Sequence, residues 1–215
     1  MRRCRTCERE IQVSSAPRVK TLQAQKREFT RSRLLDAALE LFATKGYTST
    51  TADDIAAAAG CSRATFYLHF NSRSAAMVGI LERAWPDFVV KTAEVVALID
   101  AGLTEDELNR KLSAQLKPWL PQPGAISAFN VAVRVDPVVS TWMDENSSIA
   151  YSMLIRASDD QSEEGKERRR ARLMVLSHMT MAAYDLLDRK RDQPESWRDE
   201  IMKYLSRLWA DLLLR

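Results

Sequence analysis

Within the twenty residues from Thr51 to Phe70 the chain writes a short alanine-rich helix, a one-glycine turn and a second short helix. Few folds accommodate that spacing. Thr51 is a cap for the first helix, with Asp54 three residues on as its capping-box partner. The run Ile55-Ala56-Ala57-Ala58-Ala59 ends at Gly60, where the turn calls for a positive φ. Cys61 alone separates Gly60 from Ser62, a second cap, which opens the helix Arg63 to Phe70. Two helices crossing steeply need small residues at the crossing, and the alanines supply them. The result is a helix-turn-helix pattern. A longer helix precedes it, from about Thr30 to Thr44, with Leu34, Leu35, Ala38, Leu39, Leu41 and Phe42 at three- and four-residue spacing and Gly46 as its stop. Leu39, Phe42, Ile55, Cys61, Phe66 and Phe70 are the expected small core, with Cys61 as a packing residue.

The rest of the chain also reads as helix, so the fold class is all-α. Ser72 caps a long segment from Arg73 to about Ile99, in which Pro86 predicts a kink or break near Trp85. Thr104 and Glu107 form a capping box for a helix ending near Trp119. Further helices are expected over Ala125–Val135, from Asp136-Pro137 (cap, then proline at the first position) to Arg156, over Glu164–Arg189 and over Pro194–Leu214. Six Gly and seven Pro among 215 residues disfavour a turn-rich sandwich. No apolar run is long enough for a membrane span, and the first residues lack the apolar core of a secretory signal. Cys4, Cys7 and Cys61 read as reduced thiols of a cytoplasmic protein.

Charge is unevenly distributed. Residues 1–75 carry 13 Lys/Arg against 7 Asp/Glu, whereas the remainder is mildly acidic. Eight of the 13 precede residue 30, so residues 1–29 form either a solvated leader or a basic arm that touches nucleic-acid phosphates. The second helix of a helix-turn-helix enters the major groove through its first residues, here Ser62, Arg63, Ala64 and Thr65. Arg63 is the long side chain able to read guanine, and Ala64 and Thr65 suit a thymine methyl. Thr50, Thr51 and Arg73 stand at helix starts, where free N–H groups favour a phosphate.

The text RLLDAALELFATKGYTSTTADDIAAAAGCSRATFYLHFNSR resembles the TetR (tetracycline-repressor) family of bacterial transcription regulators. Its carriers are Leu34, Ala38 and Phe42, Gly46-Tyr47, Thr51 through Ile55-Ala56, Ala59-Gly60, Ser62, Phe66-Tyr67, His69-Phe70 and Ser72-Arg73. Arg73 replaces the family's usual Lys, and Ser74-Ala75-Ala76 replaces its Glu and large aliphatic. The resemblance implies a DNA-binding domain over residues 30–75 and an effector-binding, dimerising helical domain over 76–215. It adds Tyr67 and His69 as DNA-backbone contacts. The implied function is a ligand-responsive regulator, a repressor that leaves a palindromic operator when its effector binds and shifts the fourth helix. An activator or a ligand-independent binder is the alternative.

The resemblance places a homodimer interface on the last two helices, with Leu173, Leu176, Thr180, Ala183, Leu187, Ile201, Leu205, Leu208 and Leu212 as its stripe. Aromatic and Met residues of the body suit an apolar pocket for a small organic effector: Trp85, Phe88, Trp119, Phe129, Trp142, Tyr151, Met174, Met181 and Tyr184, with His178 as a polar group. His178 is the one body histidine, so no multi-histidine metal site is expected, nor any cofactor. An enzyme is disfavoured: P-loop, Rossmann, G-x-S-x-G and H-E-x-x-H motifs are missing from the sequence.

Overall fold

A computed structural model describes residues 21–100, 102, 104–116, 122–156 and 162–214. Among these the chain forms helices and no strand: α1 (Leu22–Lys45), α2 (Ala52–Ala58), α3 (Arg63–His69), α4 (Arg73–Asp100), α5 (Glu105–Leu116), α6 (Ala125–Val135), α7 (Pro137–Arg156), α8 (Glu163–Arg189) and α9 (Glu195–Leu214).

Local signals set most boundaries. The Thr51–Asp54 capping box is closed in both directions, and the Lys45 ammonium 2.6 Å from Asp54 joins it. Those bonds hold the Asp54 carboxyl down at about 2. Ser62 Oγ accepts from Thr65 N at 3.1 Å, and Thr104 and Glu107 bond each other as the spacing predicts. Asp136 Oδ1 accepts from Val138 N at the start of α7.

One expectation fails and a second is narrowed. The first helix begins at Leu22, not near Thr30; Thr21 caps it, and the Thr30 hydroxyl donates back to the Lys26 carbonyl inside the helix. Residues 22–33 are good helix formers without an apolar stripe, so periodicity does not reveal them. Of the kink or break expected at Pro86, the break is ruled out, since α4 runs through it. Pro86 lies on an exposed face, where water can satisfy the carbonyl that loses its partner. The readings that fall on residues 1–20 and on Trp119 lie outside the described residues.

Two apolar clusters hold the molecule together. The first joins α1 (Leu34, Leu35, Ala38, Phe42), Tyr47, α2 (Ile55, Ala56) and α3 (Phe66) to α4 (Met77, Ile80, Leu81). It continues into α6 and α7 through Ala128, Phe129, Ala132 and Val139. The second collects Val95 and Val96 of α4, Leu108 and Leu112 of α5, and the inner faces of α7, α8 and α9. Met181 packs against both. Burying α6 between α1 and α8 seats the front helices firmly on the body. At that seam Gly124, with φ of +89°, caps α6, and its N–H donates to the buried Asp188 carboxylate at 2.9 Å. A methyl group at Gly124 would be driven into the Ala43 carbonyl oxygen of α1.

Candidate nucleic-acid interface

The α2–α3 corner is built by backbone bonds. Ala59 N donates to Ile55 O, Gly60 N to Ala57 O and Cys61 N to Ala56 O, with Gly60 at φ +63°. Arg33 of α1 donates to the Ala59 carbonyl and braces the turn from behind. α3 then turns Phe66 and Phe70 into the core. Its other side faces out: Arg63 and Ala64 are exposed, Tyr67 is 46% exposed and Leu68 is 74% exposed. Ser62 is exposed as the cap of α3, and Thr65 is half-buried with its hydroxyl 2.9 Å from Ser62 Oγ. Thr51 is exposed at the start of α2, its hydroxyl bound to Asp54.

Arg63 is held on two sides. Its Nη1 lies 2.9 Å from Asp53 Oδ2, and its guanidinium sits 5.6 Å over the Tyr67 ring. Tyr67 in turn rests edge-on against Phe66. His69 is half-buried beside Phe70. Burial, then the positive charges of Arg27 and Arg31, push its pKa below the usual histidine value. The His69 ring is therefore neutral near pH 7, a hydrogen-bonding group and not a cation.

One phosphate-contact expectation needs correction. Thr50 is fully buried, and its hydroxyl donates to the Gly46 and Leu41 carbonyls; it ties the α1–α2 corner and offers nothing to a phosphate. Arg73 lies over the Tyr47 ring at 4.4 Å and donates to the Thr48 and Thr50 carbonyls at 3.0 and 3.2 Å. From there its Nη1 braces the loop before α2.

The sequence reading missed Asp53 and Leu68 on this face. Leu68 follows from register alone, since it lies off the Phe66–Phe70 side of α3. The sequence reading counted Arg27 in the basic arm but did not place it on α1, where its charge acts on His69. It also missed the bridge between the front helices and the body: Tyr47 Oη and Ser74 Oγ both donate to Asp136 Oδ2 at 2.5 Å. Burial raises the Asp136 pKa, but the bonds from Ser74, Tyr47 and the Val138 and Val139 N–H groups outweigh it and hold the carboxyl below its ordinary value. Tyr47 moves upward, by burial first and then by its bond to Asp136. The proton thus stays on the tyrosine. Ser74, which departs from the family pattern, is what supplies the second donor.

The described pocket candidates do not all meet at one place. Trp85 stacks on Phe88 at 5.4 Å and meets Trp142 edge-on at 5.5 Å, joining α4 to α7. Phe129 is core, and Met181 fills the space between the two clusters. Tyr184 is buried, its hydroxyl donating to Leu112 O at 2.7 Å, and burial pushes its pKa far up. Tyr151 bonds Ser177 across α7 and α8. Met174 and His178 lie on the outer face of α8, with His178 Nδ1 2.8 Å from Met174 O. These two are corrections: they face solvent, not an interior. Among the described members of the set only Trp142 lines the open apolar groove of about 480 Å³ between α4 and α7, with Val78, Pro137, Val138, Thr141 and Glu145.

The expected dimer stripe is corrected as well. Leu173, Leu176, Thr180, Leu187 and Leu205 are buried within this one chain, and Ala183, Ile201 and Leu212 pack against the same cluster. Trp209 Nε1 donates to Thr180 Oγ1 at 2.9 Å, closing a polar stitch between α8 and α9. Only Leu208 of the nine is exposed. The apolar face left open is offset from that stripe: Met174, Val175 and Met179 on α8, Tyr204 and Leu208 on α9.

Fold and face together define a helix-turn-helix unit seated on a body that is helical among the described residues. Residues 34–75 match the model of the bacterial regulatory proteins of the tetR family. An uncharacterized HTH-type transcriptional regulator of Mycobacterium tuberculosis (strain CDC 1551) is 40% identical over 79 residues, which is 35% of this chain and 39% of that protein. The match therefore spans well under half of that relative's length. Another M. tuberculosis protein, named as a candidate mycofactocin biosynthesis transcriptional regulator (MftR), is 26% identical over 182 residues, covering 85% of this chain and 67% of its own. The fold matches the fatty acid degradation regulator FadR of Bacillus halodurans with a TM-score of 0.62 at 17% identity, over 86% of this chain and 94% of that one. Thermus thermophilus FadR, solved with lauroyl-CoA, matches with a TM-score of 0.53 at 19% identity, over 86% and 93%. The likeness to the tetR-family model thus covers the helix-turn-helix segment, residues 34–75, and the solved structures share the overall fold.

Proposed function

We propose that this protein is a DNA-binding transcription regulator, a repressor that leaves a two-fold-symmetric operator when a mainly apolar small molecule binds its helical body. The observation that carries this reading is the outward face of α3, where Arg63 and Ala64 are presented on a helix anchored by Phe66 and Phe70. In this reading Arg63 reads a guanine, Ala64 and Thr65 meet a base edge, and Ser62, Thr51, Tyr67 and His69 lie along the sugar-phosphate backbone. The protein acts as a homodimer, since a palindrome needs two readers. The exposed Met174, Val175, Met179, Tyr204 and Leu208 supply the apolar surface for pairing. The effector enters at the α4–α7 groove, and the Trp85–Phe88–Trp142 cluster reorganises around it. α4 carries the displacement to the reader. Such a regulator works in the cytoplasm; consistent with that, no described helix is long and apolar enough to cross a membrane.

The test is selection of preferred duplexes from a random library, followed by gel-shift titration of wild type and Arg63→Ala. Arg63→Ala is expected to lose about 1–3 kcal/mol of discrimination at one base pair per half-site. An unchanged preference at every position would remove Arg63 from base reading.

A further inference from the structure

Asp53 stands where a DNA-binding face should not want it. It is an exposed carboxylate on α2, and the reading of this face as a DNA reader, on which this inference rests, surrounds it with phosphates. As an acidic residue in the first turn of α2 it suits the helix dipole, but the cap does not depend on it. The cap of α2 is completed by Thr51 and Asp54, and Asp54 is also the partner of Lys45. What Asp53 does touch is the Arg63 guanidinium, 2.9 Å away on the neighbouring helix. As a surface ion pair that contact adds little stability. Its consequence is geometric. A long arginine on a solvated helix samples many rotamers, and ordering it at the moment of binding has an entropic cost. Asp53 on one side and the Tyr67 ring on the other restrict Arg63 to one direction before DNA arrives. The bond to Asp53 uses one of the five guanidinium N–H donors and leaves the others for a base.

We propose that Asp53 is a specificity-determining positioning residue: it aims Arg63 at its base pair and accepts a general loss of phosphate attraction in return. Two consequences separate this role from simple repulsion. Removing the charge should raise affinity for arbitrary duplexes and, at the same time, lower discrimination at the one base pair that Arg63 reads. The second effect should vanish when Arg63 is already gone.

The experiment uses the full chain and the duplex that wild type selects, with variants at each base pair of the half-site. Dissociation constants are measured for wild type, Asp53→Asn, Asp53→Glu, Arg63→Ala and the Asp53→Asn/Arg63→Ala double variant. Far-ultraviolet circular dichroism checks that each is folded. Asp53→Asn is expected to lower discrimination at the Arg63 base pair by about 3- to 10-fold, with the other positions unchanged and non-specific binding tightened. Asp53→Glu should restore part of the loss, and the double variant should discriminate as Arg63→Ala does. Uniform tightening on all duplexes with the preference intact would overturn the proposal. A further loss of discrimination in the Arg63→Ala background would also overturn it. A wild type that enriches no sequence at all would overturn the DNA-reading of the face, and this inference with it.

Discussion

The bridge from Tyr47 to Asp136 crosses 89 positions of sequence and ties the helix-turn-helix to the α6–α7 corner, so its strength is worth measuring directly. Tyr47 is buried, and its hydroxyl has the Asp136 carboxylate as its close acceptor, with Ser74 Oγ further off at 3.5 Å. A hydrogen bond to a charged group contributes about 1.5–3 kcal/mol. Ser74 shares the same carboxylate oxygen, so the carboxylate keeps a partner when Tyr47 is lost. Tyr47→Phe should therefore fall at the lower end, about 1.5 kcal/mol, or roughly 3–6 °C in Tm for a chain of this size. Asp136→Ala also strips the cap of α7, which adds about 0.5–2 kcal/mol, and should cost about 3 kcal/mol. Urea unfolding of both singles and the double gives the pairwise term, with the cap contribution cancelling around the cycle. A coupling of about 1–1.5 kcal/mol is expected.

The pH dependence has a defined sign. The Asp136 pKa is depressed in the fold, so its contribution is present above the ordinary value of 3.8 and fades as pH falls through the folded value. The Tyr47 pKa is raised, so its contribution holds below 10 and is lost only as pH climbs past that. The gap between wild type and Tyr47→Phe should be flat from about pH 5 to 9 and shrink in acid. Single-mutant losses that add to within about 0.3–0.5 kcal/mol would refute the bridge as a coupled unit.

Two further substitutions probe the seams on either side. Gly124→Ala combines a left-handed backbone with overlap on the Ala43 carbonyl and should cost about 2–4 kcal/mol in urea unfolding; a loss below about 1 kcal/mol would mean that α1 and α6 are not held together there. Leu208→Glu or Met179→Glu should give a folded monomer in sedimentation, while Leu205→Glu, aimed into the core, should unfold the body. Dimers surviving both surface changes would place the interface elsewhere.

Most of the helix-turn-helix, and the helix order of the body, was legible in the residues. The reason is that capping is local. Thr51 with Asp54, Ser62 with Thr65, and Thr104 with Glu107 are bonds between residues three apart, and their chemistry is complete within one turn of chain. The exposed face of α3 follows from the same short-range logic once Phe66 and Phe70 are taken as anchors. Where no cap or stripe marked a boundary, as in residues 22–29, the reading stopped short.

Tertiary structure decided the rest, because those questions turn on partners far away in sequence. α8 carries apolar residues on two sides, Leu173 and Leu176 on one, Met174, Val175 and Met179 on the other. Periodicity shows that such a helix has stripes but not which one α9 covers, and only packing assigned the first to the core and the second to the surface. Thr50 and Arg73 look alike as helix-start donors until the Gly46 and Thr48 carbonyls are brought beside them. Asp136 reads as a cap for α7 and is one, yet the fold also makes it the acceptor for Tyr47 and Ser74. A sequence by itself determines which groups are able to bond; which ones meet depends on how nine described helices close around two cores.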